Sequence, residues 1–372
     1  MDMTNWAQIL KSSNQDILNW AAEQPWAHAM HQCMQDKEWH AEGDVWTHTK
    51  MVYAETEMLK GFSELTREDQ LKLLFTALLH DIGKPATTRV DPDTGRTRSP
   101  KHSHIGASMA RIVLRDLACD LPMRESIVNL IRYHGRPPYL LENESPELAV
   151  IKLSPLLSNR LLYYFVLADS RGRITTDLTR HEDTLDLWRD LALEHDCYEK
   201  AFAFANDQAR LLLFRDELSS LHYVPHAEYK CSVTLMSGLP GSGKDTWLAK
   251  NKPEMPVVSL DGIREELDVT ATDNQGQVVQ SARERCREHL RAKRDFAFNA
   301  TNLTQQMRKR WIDLFIDYGA RVEIVYIEPP LSTILKQNKE RENNVPERVI
   351  HRLLEKLEVP TLAEAHAVTI VG

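Results

Sequence analysis

The sequence predicts two domains of different class: an all-α domain over residues 1–225, then an α/β domain with a parallel sheet over 230–372. Three observations carry that reading. From the N-terminus to about Leu221, apolar residues recur at three- and four-residue spacing with no convincing alternation, the signature of helices. The stretch 221–231 then loses periodicity and carries a proline, which marks a linker. Beyond it, short apolar runs at 233–236, 256–260, 295–300, 321–327 and 367–371 alternate with helical stretches. Strands separated by helices form a parallel sheet wrapped by those helices, with ligands bound at the carboxyl ends of the strands. A chain of 372 residues is too long for most single cores and suits two.

Composition narrows the class further. Hydrophobic content of 42% and charged content of 27% are those of an ordinary soluble protein. No apolar stretch reaches the ~18 residues that cross a bilayer, and the N-terminus MDMTNWAQIL lacks a basic region followed by an apolar one. No membrane partner and a cytoplasmic location are therefore expected. Five cysteines (Cys33, Cys119, Cys197, Cys231, Cys286) are scattered and odd in number, which argues against a disulfide framework or a thiolate metal site. The net charge of -8 gives no bulk attraction to a polynucleotide, so any such contact needs a local basic patch. Arg283, Arg285, Arg287 and Arg291 on one helix and Arg308 to Arg310 on another are candidates, with a solvated helix face as the alternative.

In the first half, a Pro-, Thr- and Arg-rich loop over 85–101 separates two histidine-bearing helices. The helix before it, LKLLFTALLHDIGKP, ends in His80-Asp81, which places two metal-ligand side chains at the rim of a core. His48 lies on an earlier helix, His104 and His134 on later ones, and Asp169 closes a helix over 161–168. Imidazole and carboxylate donors gathered from separate helices suit a divalent transition metal with open positions for water or phosphate. Each histidine taken singly reads as an ordinary core or surface residue. The ordered set His48, His80-Asp81, His104, His134, Asp169 resembles the HD phosphohydrolase superfamily over roughly residues 40–180. HDIGKP, HSHIGA and LADSRGR resemble the HD domain of bacterial tRNA nucleotidyltransferases. The resemblance implies His48, His80, Asp81 and Asp169 as ligands of a first transition metal (Mn2+, Ni2+ or Co2+). It implies His104 and His134 as ligands of a second metal or as phosphate contacts, and Lys84 as a partner of a phosphoryl oxygen. His28, His31, His40, His102, His181 and His195 are taken as structural, although His102, two residues from His104, could exchange roles with it.

The second half opens on VTLMSGLPGSGKDTW, a strand, a glycine-rich turn and the start of a helix. Gly238-x-x-x-x-Gly243-Lys244 is a phosphate-binding loop in its expected setting. Gly238, Gly241 and Gly243, with Ser242 between them, let successive N–H groups face one anion while Lys244 reaches the phosphates of ATP or another NTP. After the lysine comes Asp245, then Thr246, where a hydroxyl usually ligates Mg2+; either residue could take the metal. The next strand ends in VVSLDGIREEL, so Asp261 emerges at its carboxyl end with Arg264 one turn later. An aspartate there can accept the proton of an attacking hydroxyl and an arginine can hold an acceptor phosphate. A helix N-cap is the simpler alternative for Asp261.

Ser259-x-Asp261-x-x-Arg264 resembles the acceptor motif of 5′-OH polynucleotide kinases, and Asn299-Ala300-Thr301-Asn302-Leu303 resembles the segment after their equivalent strand, with Asn299 near the place of a frequent acidic residue. Asn338-Lys339-Glu340-Arg341, then Val345-Pro346, resembles their lid, whose arginines clamp the ATP phosphates. Arg341 matches one of these; Gln337 stands where a second is expected, so Arg348 or Arg352 would have to supply it. Together the halves resemble the bacterial HD-Pnk RNA end-healing enzymes. That implies an ATP- and Mg2+-dependent 5′-hydroxyl kinase and a phosphohydrolase of 2′,3′-cyclic or 3′-phosphate ends. Its substrates would be RNA, or DNA, ends, with a separate RNA ligase acting downstream. A small-molecule kinase joined to a nucleotidase and an ATP-gated regulatory protein are the alternatives.

Overall fold

The computed structural model describes residues 3–175, 178–270, 273–341 and 344–372, with the backbone alone for 178–181, so the His181 side chain lies outside the described residues. These residues divide into two compact units, separated between Ala203 and Phe204. That division precedes the aperiodic stretch 221–231. The helix Asp207–Phe214 belongs to the second unit, where Arg210 donates to the carbonyl oxygen of Leu362 at 3.0 Å and Asp207 pairs with Arg321 at 2.9 Å.

The first unit is helical. Four of its helices, Val45–Met58, Arg67–Leu79, Leu121–Tyr133 and Asn159–Arg171, frame its site. Each begins on a side-chain cap: Asp44, Thr66, Asp120 and Ser158 accept hydrogen bonds from the N–H groups of Thr47, Asp69, Met123 and Leu161. Each cap satisfies an otherwise orphaned donor of a first turn. From Leu73 to Leu79 every residue of Arg67–Leu79 is buried, so this is the central helix, apolar on all sides. Asn159–Arg171 runs past Ala168, where the sequence pattern ended it, so Asp169 is itself helical. Two glycines permit close approach. A Cβ on Gly172 would lie 2.8 Å from the backbone nitrogen of Val52, and one on Gly83 would lie 2.7 Å from that of Gly106. Any larger side chain would push apart the segments that carry Asp169 and His48, or His80 and the helix His102–Asp116.

The 85–101 segment is more ordered than its composition suggested. A short helix, Lys84–Thr87, leads into an antiparallel hairpin of β1 (Arg89–Val90) and β2 (Thr97–Arg98), closed by Gly95 at φ +68°. Strands of two residues are too short to show alternation in a sequence.

The second unit is built on a five-stranded parallel sheet of order β4-β5-β3-β6-β7. The strands are β3 (Cys231–Ser237), β4 (Val257–Ser259), β5 (Phe296–Asn299), β6 (Ala320–Ile327) and β7 (Ala367–Val371). In the middle of the sheet Val233 pairs with Phe296 on one side and Val322 on the other. Behind it Phe298 and Trp311 pack with ring centroids 4.2 Å apart. The chain leaves β3 toward β4 and β5 and returns to its other side as β6, so the order reverses about β3 and a crevice opens at its carboxyl end. No helix among the described residues is long and apolar enough to cross a membrane, and all five cysteines are buried and free.

Within the arginine-rich stretches, Arg285, Arg287 and Arg308 are ion-paired. Arg285 pairs with Glu266 and Arg287 with Glu284, so that helix face carries both signs. Arg308 is fully buried: its guanidinium meets the Glu364 carboxylate at 2.6 and 2.9 Å and donates to the carbonyl oxygens of Asn302 and Glu358. Sequence alone cannot separate this arginine from a surface one, since its partner lies 56 residues away. Removing one member of a buried, fully bonded pair strands the other charge. Arg308→Ala is expected to lower the stability of the second unit by about 3–5 kcal/mol, read as a lower midpoint in urea denaturation.

Candidate active sites

In the first unit, helix ends bring the donors together. His48 stands on the first turn of its helix, His80 and His134 occupy C-cap positions, Asp81 follows His80, and Asp169 lies in the last turn of Asn159–Arg171. His48, His80, Asp81 and Asp169 are each at most 2% exposed. His48 Nε2 lies 3.0 Å from Asp169 Oδ1 and 4.0 Å from Asp81 Oδ2. His80 Nε2 lies 3.1 Å from Asp81 Oδ2 and 3.9 Å from Asp169 Oδ1.

Hydrogen bonds on the far side of each ring set its direction. The Nδ1 atoms of His48, His80 and His134 face the carbonyl oxygens of Gly172, Ala77 and Ile131 at 3.2, 2.9 and 2.7 Å. A carbonyl only accepts, so Nδ1 donates, which leaves Nε2 of each ring directed at the cluster; His48 Nε2 donates there to Asp169 Oδ1. Among the described residues, the buried His80 Nε2 and Asp81 Oδ1 have no hydrogen-bond partner. Orphaned inward atoms on a set of imidazoles and carboxylates fit a divalent metal, which would satisfy them.

A second group forms around the other oxygen of Asp81, and it contains His102 rather than His104. His102 Nε2 lies 3.5 Å from Asp81 Oδ1 and 3.4 Å from His134 Nε2, and among the described residues Asp81, His102 and His134 are grouped at ligating distance. Both histidines lie in the first turn of the helix His102–Asp116, and the ring of His102 is directed by its Nδ1, 2.9 Å from the Ser99 carbonyl oxygen. His134, expected as a second-metal ligand or phosphate contact, stands in this group, and burial with the nearby His102 and His80 lowers its pKa to about 3.

Burial alone would raise the pKa of both aspartates. His80 and Lys84 hold the Asp81 carboxyl well below the usual range instead, and Arg173 and His48 do the same for Asp169. Lys84 Nζ stands 2.7 Å from Asp81 Oδ2 and 2.6 Å from Gln35 Oε1; Arg173 Nη2 stands 2.5 Å from Asp169 Oδ2.

Glu42 and Gln35 belong to no motif, and periodicity gives them no signal; Arg173 ends the LADSRGR stretch without a site role assigned to it there. His40, taken as structural, packs its ring 4.8 Å from that of His48 and shares Glu42 with it, at 2.8 and 3.0 Å. His28 and His31 are exposed on the helix Pro25–His31. A carboxylate behind a ligating histidine fixes its tautomer and raises its basicity. Glu42→Gln is expected to weaken binding of Mn2+ or Ni2+ by roughly 10- to 100-fold, measured by metal titration of the apoprotein.

In the second unit a cleft of about 970 Å3 opens at the carboxyl end of β3. Gly238, Gly241 and Gly243 take φ of +146°, +76° and +94°, as the turn into the helix Lys244–Asn251 demands. Lys244 is buried and donates to the carbonyl oxygens of Gly238 and Leu239 at 3.0 and 2.8 Å; burial lowers its pKa to about 8 against the raising effect of Asp245 and Asp261. Ser242 Oγ is buried with no hydrogen-bond partner among the described residues. Asp245 and Thr246 are exposed in the cleft, and Asn299 Nδ2 donates to Asp245 Oδ1 at 2.6 Å. The carboxylate of this pair is therefore on the helix and the amide on the sheet.

Asp261 does not cap its helix. Ser259 is the N-cap, accepting from the Gly262 N–H at 3.3 Å, which leaves the Asp261 carboxylate 70% exposed and bonded to Arg264. Gln275 holds the other side of the Arg264 guanidinium at 2.7 Å. Arg341 and Gln337 line the same cleft. The buried Asn338 fastens that segment, donating to the Val345 carbonyl at 2.7 Å and accepting from the Val345 N–H at 3.0 Å. Arg348 and Arg352 are exposed on the helix Glu347–Glu355, whose Val349 and Leu353 face the cleft; among the described residues, the arginines lining it are Arg264 and Arg341.

Comparison with known proteins agrees with this division. Residues 45–157 match the family described as HD domain, and residues 233–360 match that described as AAA domain. A CC-adding tRNA nucleotidyltransferase from Thermus thermophilus is 40% identical over 67 residues, 18% of this chain and 15% of its own length. An L-seryl-tRNA(Sec) kinase from Methanococcus maripaludis is 25% identical over 135 residues, 34% of this chain and 53% of its own. The chain thus spans at most about half the length of either curated relative. Among solved structures, an unliganded sugar kinase from Janibacter sp. HTCC2649 and a gluconokinase from Sinorhizobium meliloti 1021 are each similar at 18% identity. They cover 38% and 39% of this chain and 84% and 85% of their own, with TM-scores of 0.30 and 0.29. The chain carries a helical HD domain followed by a P-loop kinase-like domain.

Proposed function

We propose that this chain heals RNA ends, its second unit phosphorylating a 5′-hydroxyl and its first removing the phosphate from a 2′,3′-cyclic or 3′-phosphate end. The observation that carries the reading is the placement of the Asp261–Arg264 pair in one cleft with Lys244 and Arg341. Asp261 takes the proton of the attacking 5′-oxygen as its bond to the γ-phosphorus forms and the bond to the ADP oxygen breaks. Arg264 holds the phosphate next to the acceptor sugar. Lys244 and Arg341 face the charge that spreads over the transferring group. Asp245, tethered by Asn299, is the residue that would hold Mg2+, with Thr246 beside it.

In the first unit His48, His80, Asp81 and Asp169 would hold one transition metal, with Asp81, His102 and His134 offering a second position. Bound there, Mn2+, Ni2+ or Co2+ supplies Lewis acidity and an activated water at neutral pH. Lys84 and Arg173, each ion-paired to an aspartate of the cluster, bring positive charge to the departing phosphate. Support for RNA comes from the relatives of the two halves, whose names place both among enzymes of tRNA.

The test is a comparison of acceptors. With labelled ATP and Mg2+, a 5′-hydroxyl RNA is expected to be phosphorylated, and nucleosides, gluconate and free sugars to be far poorer acceptors. Preferential phosphorylation of a nucleoside or sugar would overturn the polynucleotide reading.

A further inference from the structure

The cavity beside the histidine cluster of the first unit, about 460 Å3 in volume, contains groups that phosphate chemistry does not require. Its lining includes the polar set His40, Lys84, His102 and Arg173, which reach the cluster, and two large aromatic side chains, Trp39 and Tyr139. Trp39 is 42% exposed and Tyr139 59%. Both rings are delivered with cluster residues. Trp39 lies in the turn that carries His40, where the N–H groups of both donate to the Asp36 carbonyl at 3.2 and 2.9 Å. Tyr139 lies in the 3-10 segment Pro137–Glu142, which follows His134. Both rings thus line the same cavity that His40, Lys84, His102 and Arg173 also line. Wet aromatic faces beside such a site fit a ligand that joins a flat π-system to a phosphate through a few atoms.

We propose that Trp39 and Tyr139 form a stacking site for the nucleobase of the terminal nucleotide whose phosphate lies at the histidine cluster. This rests on the phosphohydrolase reading of the first unit and adds to it the residues that recognise the end. Every base has a π-face, so stacking accepts any terminal base, which suits an enzyme that repairs breaks of arbitrary sequence.

The test is internal competition for dephosphorylation between two RNAs, one ending in a nucleoside 3′-phosphate and the other in an abasic ribose 3′-phosphate. Adenosine 3′-monophosphate serves as a separate substrate. Stacking predicts that the full-length enzyme prefers the base-bearing end by roughly 5- to 150-fold in kcat/KM. In a Trp39→Ala, Tyr139→Ala double variant the preference should fall to near unity, and in a Trp39→Phe, Tyr139→Phe variant it should persist. An equal rate on both RNAs by the wild type, or a preference that survives in the alanine variant, overturns the stacking site and leaves the phosphohydrolase reading standing. If neither RNA nor adenosine 3′-monophosphate loses phosphate, the phosphohydrolase reading fails and the stacking site fails with it.

Discussion

Asp81→Ala is expected to abolish phosphate release from a 3′-phosphate RNA end, by at least about 10²–10³-fold, while 5′-phosphorylation continues. The size of the effect follows from the position of the side chain. One oxygen of Asp81 faces His80 and Lys84 and the other faces His102, so a single carboxylate serves both groups of donors. Its loss removes a ligand from each and leaves the Lys84 ammonium without its partner. Metal content should fall with activity, so mass spectrometry of bound Mn2+, Ni2+ or Co2+ gives a readout independent of turnover. Asp81→Asn, which keeps the shape, separates loss of charge from loss of packing. Undiminished hydrolysis in both variants would remove Asp81 from the account.

Asp261→Asn is expected to reduce transfer of the γ-phosphate to a 5′-hydroxyl RNA by roughly 10²–10⁴-fold, the usual worth of a positioned general base. The amide keeps an oxygen for Arg264 but cannot take the hydroxyl proton. ATP affinity should change little, because Lys244, the loop amides and Arg341 remain in the cleft. The measurement is a pair of assays on one preparation, equilibrium binding of ATP and labelling of the RNA 5′ end. Normal binding with lost labelling agrees with the base role. Normal labelling would assign the exposed Asp261 carboxylate to the surface and strengthen a regulatory reading of the unit.

Much of the fold was legible because its signals are local. The strand core of β3, the glycine turn and Lys244 are consecutive, and the helix ending in His80-Asp81 shows its burial in an unbroken apolar run. What escaped depends on contacts distant in sequence. Glu42 gains meaning only where His40 and His48 converge on it. Arg308 needs Glu364, 56 residues on. The exchange of His104 for His102 was not readable: Ala107 and Arg111 are buried along with Gly106 and Ala110, so the buried face of the helix favours neither of two histidines two residues apart.

The central claim is that one chain performs two end chemistries at two separate sites. The most direct measurement offers the protein a short RNA with a 5′-hydroxyl and a 3′-phosphate, together with γ-labelled ATP, Mg2+ and Mn2+, and reads both ends of the product by mass spectrometry. The account predicts an RNA with a 5′-phosphate and a free 3′-hydroxyl from the wild type, only the 5′ change from Asp81→Ala and only the 3′ change from Asp261→Asn. An RNA recovered with both ends unchanged while ATP or a mononucleotide is consumed would contradict it.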